Sequence, residues 1–205
     1  VRCKILNLYC GLGGNRKNWP DDDIEVTAVE YNADIAKIYQ DFFPNDTVIV
    51  SDAHDYLLQH FKEYDFIWSS PPCPTHSLAR TMAVFTGQNK AVYPDMKLYQ
   101  EIILLQRFHK KGSFYCVENV KPYYDPLISA QECGRHLFWT NFYLQDFKNN
   151  PAHEASVKEM QKIKGIDISA YDNIDKKKCL RNCVDPKLGK HIYDCAFKNI
   201  QLSLI

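Results

Sequence analysis

No stretch of this 205-residue chain approaches the ~20 consecutive apolar residues that span a bilayer. The N-terminus lacks the charged and apolar blocks of a secretory signal. Both absences lead to the expectation of a soluble intracellular protein with no membrane partner. Net charge is missing too: 25 basic side chains balance 25 acidic ones, which argues against a strong, uniformly basic nucleic-acid binder. Cys179 and Cys183 stand four apart, but no second Cys or His pair completes a zinc pattern, so no metal is expected. Disulfide frameworks belong to short secreted chains, so all eight cysteines are expected as reduced thiols. A G-x-G-x-x-G dinucleotide fingerprint, internal repeats and an interior linker are also absent. What remains is one globular domain, 45% hydrophobic and 13% aromatic, long enough to bury a core.

Charge is unevenly placed. Residues 1–70 carry 6 basic and 12 acidic side chains, whereas 148–205 carry 11 and 7, so a phosphate-facing surface belongs to the C-terminal third. Residues 4–10 form a buried first strand in this pattern, closed by Gly11-Leu12-Gly13-Gly14. Glycines directly after a strand let the backbone turn tightly and approach a ligand. An alternating strand over 24–30 ends in Glu30, 16 residues after Gly14, where a carboxylate can bind both hydroxyls of a ribose. Helical period over 33–43 stops at Pro44, and a third strand over 47–50 leads to Asp52. That aspartate suits an adenine contact, the N-cap of a helix over 53–61, or both.

The fourth strand ends at Pro71-Pro72, and Cys73 follows at once. Consecutive prolines fix their own φ and restrict the residue before each, so the thiol is held stiffly at a strand's C-terminal end. Residues 74–94 lack a sustained period and suit a long functional loop, or lid. Then come a helix over 96–108, a fifth strand over 113–117 closed by Glu118-Asn119-Val120, and a strand over 134–142 that opens with Arg135. A short helix at 154–163 and a final one at 187–197 complete the chain. Strands alternating with helices, with glycines, Glu30, Asp52, Cys73 and Glu118 at strand ends, predict an α/β fold. The expected form is a doubly wound, mostly parallel sheet with helices on both faces.

In this order the motifs resemble the DNA cytosine-5 methyltransferase family, over about residues 4–145 and 180–197. The resemblance implies a Rossmann-like methyltransferase fold and S-adenosylmethionine as cofactor. It implies methyl transfer to C5 of a flipped cytosine in DNA, through a covalent bond between Cys73 and C6. Pro71-Pro72-Cys73 is similar to the nucleophile motif, with Ser77 a few residues later, and Glu118-Asn119-Val120 follows 45 residues after the cysteine. Glu118 would hold the pyrimidine edge, and Arg135 would orient the base or that carboxyl. Cofactor contacts are implied at Tyr9, Gly11, Gly13, Gly14, Glu30, Tyr31, Asp52, Ala53, Pro72, Leu98, Asn182 and Val184, the last two within Asn182-x-x-x-Pro186.

Three features depart from the family. Asn7 stands where Asp is common, and a motif that usually holds two arginines one residue apart is Arg135-His136. Only about 40 residues, 142–181, occupy the place of a target-recognition domain. So short a segment implies weak, salt-dependent binding through Lys148, Lys158, Lys162, Lys164, Lys176, Lys177, Lys178 and Arg181. A second subunit or self-association would supply the rest, with Tyr123, Tyr124 and Tyr143 as candidates for its surface. The alternatives are the same chemistry on RNA, or an idle cofactor-binding subunit. The intact Cys73 and Glu118 motifs argue against the second.

Overall fold

The computed structural model describes residues 2–147 and 156–202, with side chains placed through residue 198. Short runs rich in Val, Ile, Phe and Trp form the strands. These are β1 (Cys3–Leu8), β2 (Ile24–Glu30), β3 (Thr47–Val50), β4 (Phe66–Ser69), β5 (Phe114–Val120), β6 (Gln131–Cys133) and β7 (His136–Thr140). The helices are α1 (Ala33–Phe42), α2 (Ala53–His60), α3 (Leu78–Phe85), α4 (Lys97–Phe108), α5 (Val157–Lys164), α6 (Lys176–Asn182) and α7 (Pro186–Leu202).

Among the described residues the strands form one sheet of order β3-β2-β1-β4-β5-β7-β6. Strands β1 to β5 pair in parallel, and β7 is antiparallel to both β5 and β6. The chain winds outward from β1 to β3 and then returns to lay β4 beside β1. The crevice at the C-terminal ends of β1 and β4 is therefore the switch point at which such sheets take ligands.

Alternate residues of each central strand supply two cores, so both faces are apolar. Ile5, Val26, Phe66, Trp68 and Phe138 meet Leu188, Ile192 and Tyr193 of α7 on one face. Leu6, Leu8, Ile67, Val117 and Trp139 meet Leu57 of α2 and Leu98, Ile102 and Leu105 of α4 on the other. Each fully buried large side chain contributes about 1.5–3 kcal/mol. Asn7 sits in a buried polar chain: its Oδ1 accepts from Asn15 Nδ2 at 2.8 Å, and its Nδ2 donates to Tyr39 OH at 3.4 Å. Tyr39 in turn donates to Asp46 at 2.9 Å, which also binds Arg16. An aspartate at position 7 would lose the donor and add a second buried charge near Asp46, which accounts for the amide.

Four expectations need adjustment. Residues 74–94 are not all loop, because α3 forms within them with Ser77 as N-cap, its Oγ accepting from Arg80 N at 3.3 Å. β5 runs on to Val120 because β7 extends its ladder beyond β4, so Glu118 and Asn119 are strand residues. β6 and α6 are additional elements, the second capped by Asp175. The short helix expected at 154–163 is α5, opened by a capping box between Ser156 and Glu159; positions 154 and 155, like Lys148, lie outside the described residues.

Candidate active site

β1 delivers Tyr9, which turns the chain with φ +54, a backbone region that non-glycine residues seldom enter. Gly11 follows at φ +52, and a Cβ there would meet nothing closer than the Tyr9 carbonyl at 4.0 Å, so open space borders the loop. Gly13 and Gly14 are small for a different reason. A Cβ would lie 2.3 Å from the Phe43 ring at Gly13 and 2.2 Å from the Val184 carbonyl at Gly14. Their missing side chains let α1 and the 182–186 segment close against the loop. Val184 is thereby brought to the loop, whereas Asn182 is exposed at the end of α6.

Glu30 closes β2 and is turned toward this loop. Its Oε2 accepts from Gly11 N at 3.1 Å and its Oε1 from Asn32 N at 3.0 Å. Each oxygen keeps a further lone pair for a hydroxyl. Asp52 caps α2, its Oδ1 accepting from His54 N at 2.8 Å and Asp55 N at 3.2 Å, while Oδ2 lies 3.5 Å from Lys97 Nζ. Burial raises its carboxyl, but those backbone bonds and Lys97 outweigh that and hold it below the usual carboxylate range. Tyr31 is exposed beside Glu30, and Ala53 and Leu98 are buried beneath the rim. An open glycine turn, a carboxylate aimed at it and a second acid one strand further out fit the diol and amino groups of S-adenosylmethionine.

The Pro71-Pro72-Cys73 turn is held from β5. Asn119, 2% exposed, donates from Nδ2 to the Pro71 carbonyl at 2.9 Å and fixes the proline turn on which Cys73 stands. The Cys73 carbonyl accepts from His76 N at 3.0 Å and Ser77 N at 3.2 Å, while Pro72 is exposed. Buried His76 places Nδ1 2.6 Å from Tyr124 OH, and burial holds its imidazole below the usual range. Asp95 N donates to Thr75 Oγ1 at 2.9 Å, which joins the two ends of the 75–95 segment. Beyond that neck, Leu78, Met82, Phe85 and Tyr93 are exposed.

Cys73 itself is half-buried. Burial pushes its thiol above the ordinary value of 9.0, the Glu118 charge adds to this, and a backbone hydrogen bond only partly opposes it. Glu118 Oε1 faces His136 Nε2 at 3.6 Å. The β5–β7 register explains the contact: His136 lies opposite Val120 and Phe138 opposite Glu118, so both side chains emerge on one face. Arg135, the expected partner, lies exposed in the β6–β7 turn. The ladder thus brings the neighbouring residue to Glu118. Sequence reasoning missed both His136 and the grip of Asn119, although each adjoins a residue it had singled out.

Elsewhere, Tyr143 is exposed, and Lys158, Lys162, Lys177, Lys178 and Arg181 are exposed on α5 and α6. Lys164 and Lys176 instead bind the Cys183 and Ser169 carbonyls. None of the eight cysteines is in a disulfide, and no group of metal-ligating side chains occurs among the described residues. No helix among them is long and apolar enough to cross a membrane.

Residues 3–126 match the family described as C-5 cytosine-specific DNA methylase. Comparison with curated proteins gives no match. Among solved structures, the SAM dependent methyltransferase from Agrobacterium tumefaciens is 13% identical, with 60% of this chain and 40% of that one covered at a TM-score of 0.45. The methyltransferase EhMeth from Entamoeba histolytica is 13% identical over 78% of this chain and 60% of its own, at 0.43. A mutant of DNMT2 from Spodoptera frugiperda is 20% identical over 61% and 38%, at 0.40. The chain thus spans less than half of the Agrobacterium and Spodoptera proteins.

Proposed function

The chain belongs to the C-5 cytosine-specific DNA methylase family, and from that premise we propose that it methylates C5 of cytosine in DNA through a transient bond between Cys73 Sγ and C6 of the base. The observation that carries this is that β5 supplies Glu118 and, from the next residue, Asn119 Nδ2 on the Pro71 carbonyl at 2.9 Å, so one strand both presents the carboxyl and fixes the turn that mounts Cys73. C5 of cytosine is a poor nucleophile. Adding sulfur to C6 converts the ring to an enamine with an electron-rich C5, and cysteine is both a strong nucleophile and a good leaving group. When bound, S-adenosylmethionine supplies the methyl group. Gly11, Glu30, Asp52 and the residues around them would hold it.

The chain's own residues do the rest. Glu118, carrying a proton in the complex, engages the N3 and N4 edge of the pyrimidine and donates toward N3 as negative charge builds there. The proton that Glu118 carries in the complex also removes its negative charge from beside Cys73, so base binding and thiolate formation assist each other. His136 orients the carboxyl from the far side, and Asn119 keeps the proline turn in register. Once C5 carries the methyl group, its proton passes to water, the C5–C6 double bond re-forms and Cys73 leaves as thiolate. A base inside a duplex is unreachable, so the cytosine must be flipped or offered in a single strand. Exposed cations on α5 and α6 meet phosphates, and a second subunit or a second copy of the chain supplies target recognition.

Replacing cytosine by 5-fluorocytosine blocks proton loss and should trap the protein covalently on duplex DNA. Cys73→Ser should abolish the trap. An adduct that survives this change, or that maps to Cys116 or Cys133, overturns the mechanism. Trapping confined to an RNA carrying the same base would keep the mechanism and replace the substrate.

A further inference from the structure

Glu101 lies in the middle of α4 with 1% of its surface exposed, a carboxylate buried beneath the working edge. Burying such a group is costly unless it is well bonded. Its Oε1 accepts from Tyr9 OH at 2.6 Å and stands 2.9 Å from His54 Nδ1, while its Oε2 accepts from Ser69 Oγ at 2.6 Å. The two hydroxyls belong to different halves of the site. Tyr9 is the first residue after β1 and leads into the glycine loop, whereas Ser69 is the last residue of β4, four before Cys73. The intervening prolines transmit the position of Ser69 with little slack. We propose that Glu101 is a positioning residue that sets the cofactor loop in register with the nucleophile strand.

Two details favour this over a purely structural polar contact. Tyr9 holds a left-handed backbone conformation that non-glycine residues seldom adopt, and its hydroxyl is bonded to Glu101 at 2.6 Å. In addition, β1 and β4 are already joined by their own ladder, which ends at Leu8 and Ser69. The carboxylate therefore makes its Tyr9 and Ser69 bonds where that ladder stops and the two exits diverge. The charged groups around it are His54 on α2, Lys97 on α4, Asp52 and Asp95; the last two act on Tyr9 through space, and Lys97 and Asp52 act on His54.

The inference rests on the proposed assignment of cofactor to one exit and nucleophile to the other. Its test therefore compares variants in two measurements that need no nucleic acid. Calorimetry gives the affinity for S-adenosylhomocysteine, and mapped iodoacetamide labelling gives the reactivity of Cys73. Tyr9→Phe keeps the ring and cuts one arm, so affinity should fall about 3- to 10-fold with labelling unchanged. Ser69→Ala cuts the other arm and lets Cys73 move out of its buried place near Glu118. Labelling should then quicken about 3- to 10-fold with affinity unchanged. Glu101→Gln should move both. Equal changes of both quantities in all three variants, in step with lost thermal stability, would reduce Glu101 to a structural role. No change in either quantity in Glu101→Gln would also overturn the proposal. Glu30→Ala, run alongside, checks the cofactor assignment independently, because Glu30 makes no bond to Glu101.

Discussion

The proposed cofactor half and the proposed nucleophile half of the sheet edge are built on opposite terms. At the ends of β1 to β3 the polar groups already have partners: Glu30 is aimed by the amides of Gly11 and Asn32, and Asp52 by the first turn of α2. At the ends of β4, β5 and β7 the scaffold is equally firm, with Asn119 on Pro71, but the reactive atom is held in its unreactive form. The charge that acts on Cys73 is the negative charge of Glu118, where a cation would be needed to favour thiolate. On the proposed assignment, the first half meets its ligand with its acids already aimed, and the second becomes competent when a ligand changes the charge balance. This separates affinity, which the first half should set alone, from reactivity, which the second sets.

The largest expected effect sharpens that separation. Removing the Glu30 carboxylate takes away a charge-assisted hydrogen bond worth roughly 1.5–3 kcal/mol, or about 10- to 150-fold in cofactor affinity. Glu30→Ala should show such a loss by calorimetry while labelling of Cys73 stays at the wild-type rate. If the two moved together, the halves would not be independent.

Next in size is a contrast within the cofactor half. A methyl at Gly14 would collide with the Val184 carbonyl, a backbone atom that cannot swing aside, so Gly14→Ala should cost about 3 kcal/mol of stability. Gly11→Ala meets open space and suffers only from its positive φ, about 1 kcal/mol. Denaturant midpoints should rank them in that order, and cofactor affinity should fall in Gly11→Ala because the methyl enters the ligand's space. A reversed ranking would mean that the 182–186 segment does not pack on the loop.

Much of this organisation was legible in the chain. Strands β1 to β5 are apolar runs that end in signals with local causes: a glycine turn, a proline pair, a helix cap. The parts that escaped depend on contacts distant in sequence. Glu101 looks like any polar residue on a helix until Tyr9 and Ser69 reach it, 92 and 32 residues away in sequence. Helix α3 hid because it is short and none of its residues is buried: Leu78, Met82 and Phe85 lie exposed, so its period answers to no core. β6 is three residues long and exists through its register with β7. That same register decides between Arg135 and His136, since a one-residue shift in a strand moves a side chain to the other face.

The Glu118 contact gives the third prediction. His136→Gln removes the ring that faces Glu118, so turnover on cytosine-containing duplex DNA should fall about 3- to 10-fold, in line with one lost polar contact. Arg135→Gln, in the exposed turn, should change it less than about twofold at fixed salt. The opposite order would restore the arginine to the place that the motif suggested.

The smallest effect tests the charge argument itself. Two causes raise the Cys73 thiol above 9.0: burial first, then Glu118. Raising an acid's pKa keeps it protonated as pH increases, so labelling of the free protein at pH 7.5 should be slow and should climb steadily beyond pH 9. Glu118→Gln removes the second cause and leaves the first, so the labelling profile should move toward lower pH by an amount that speeds reaction at pH 7.5 about threefold. Buried Cys10 and Cys116 serve as internal standards, since their thiols are held well above 9.0 mainly by burial. If their labelling rises in parallel, the variant has loosened the fold and the change at Cys73 says nothing of charge. A profile at Cys73 that stays fixed while they remain protected would show that burial alone sets the thiol. The nucleophile half would then need to open, and loss of the Glu118 charge would not be enough to make it react.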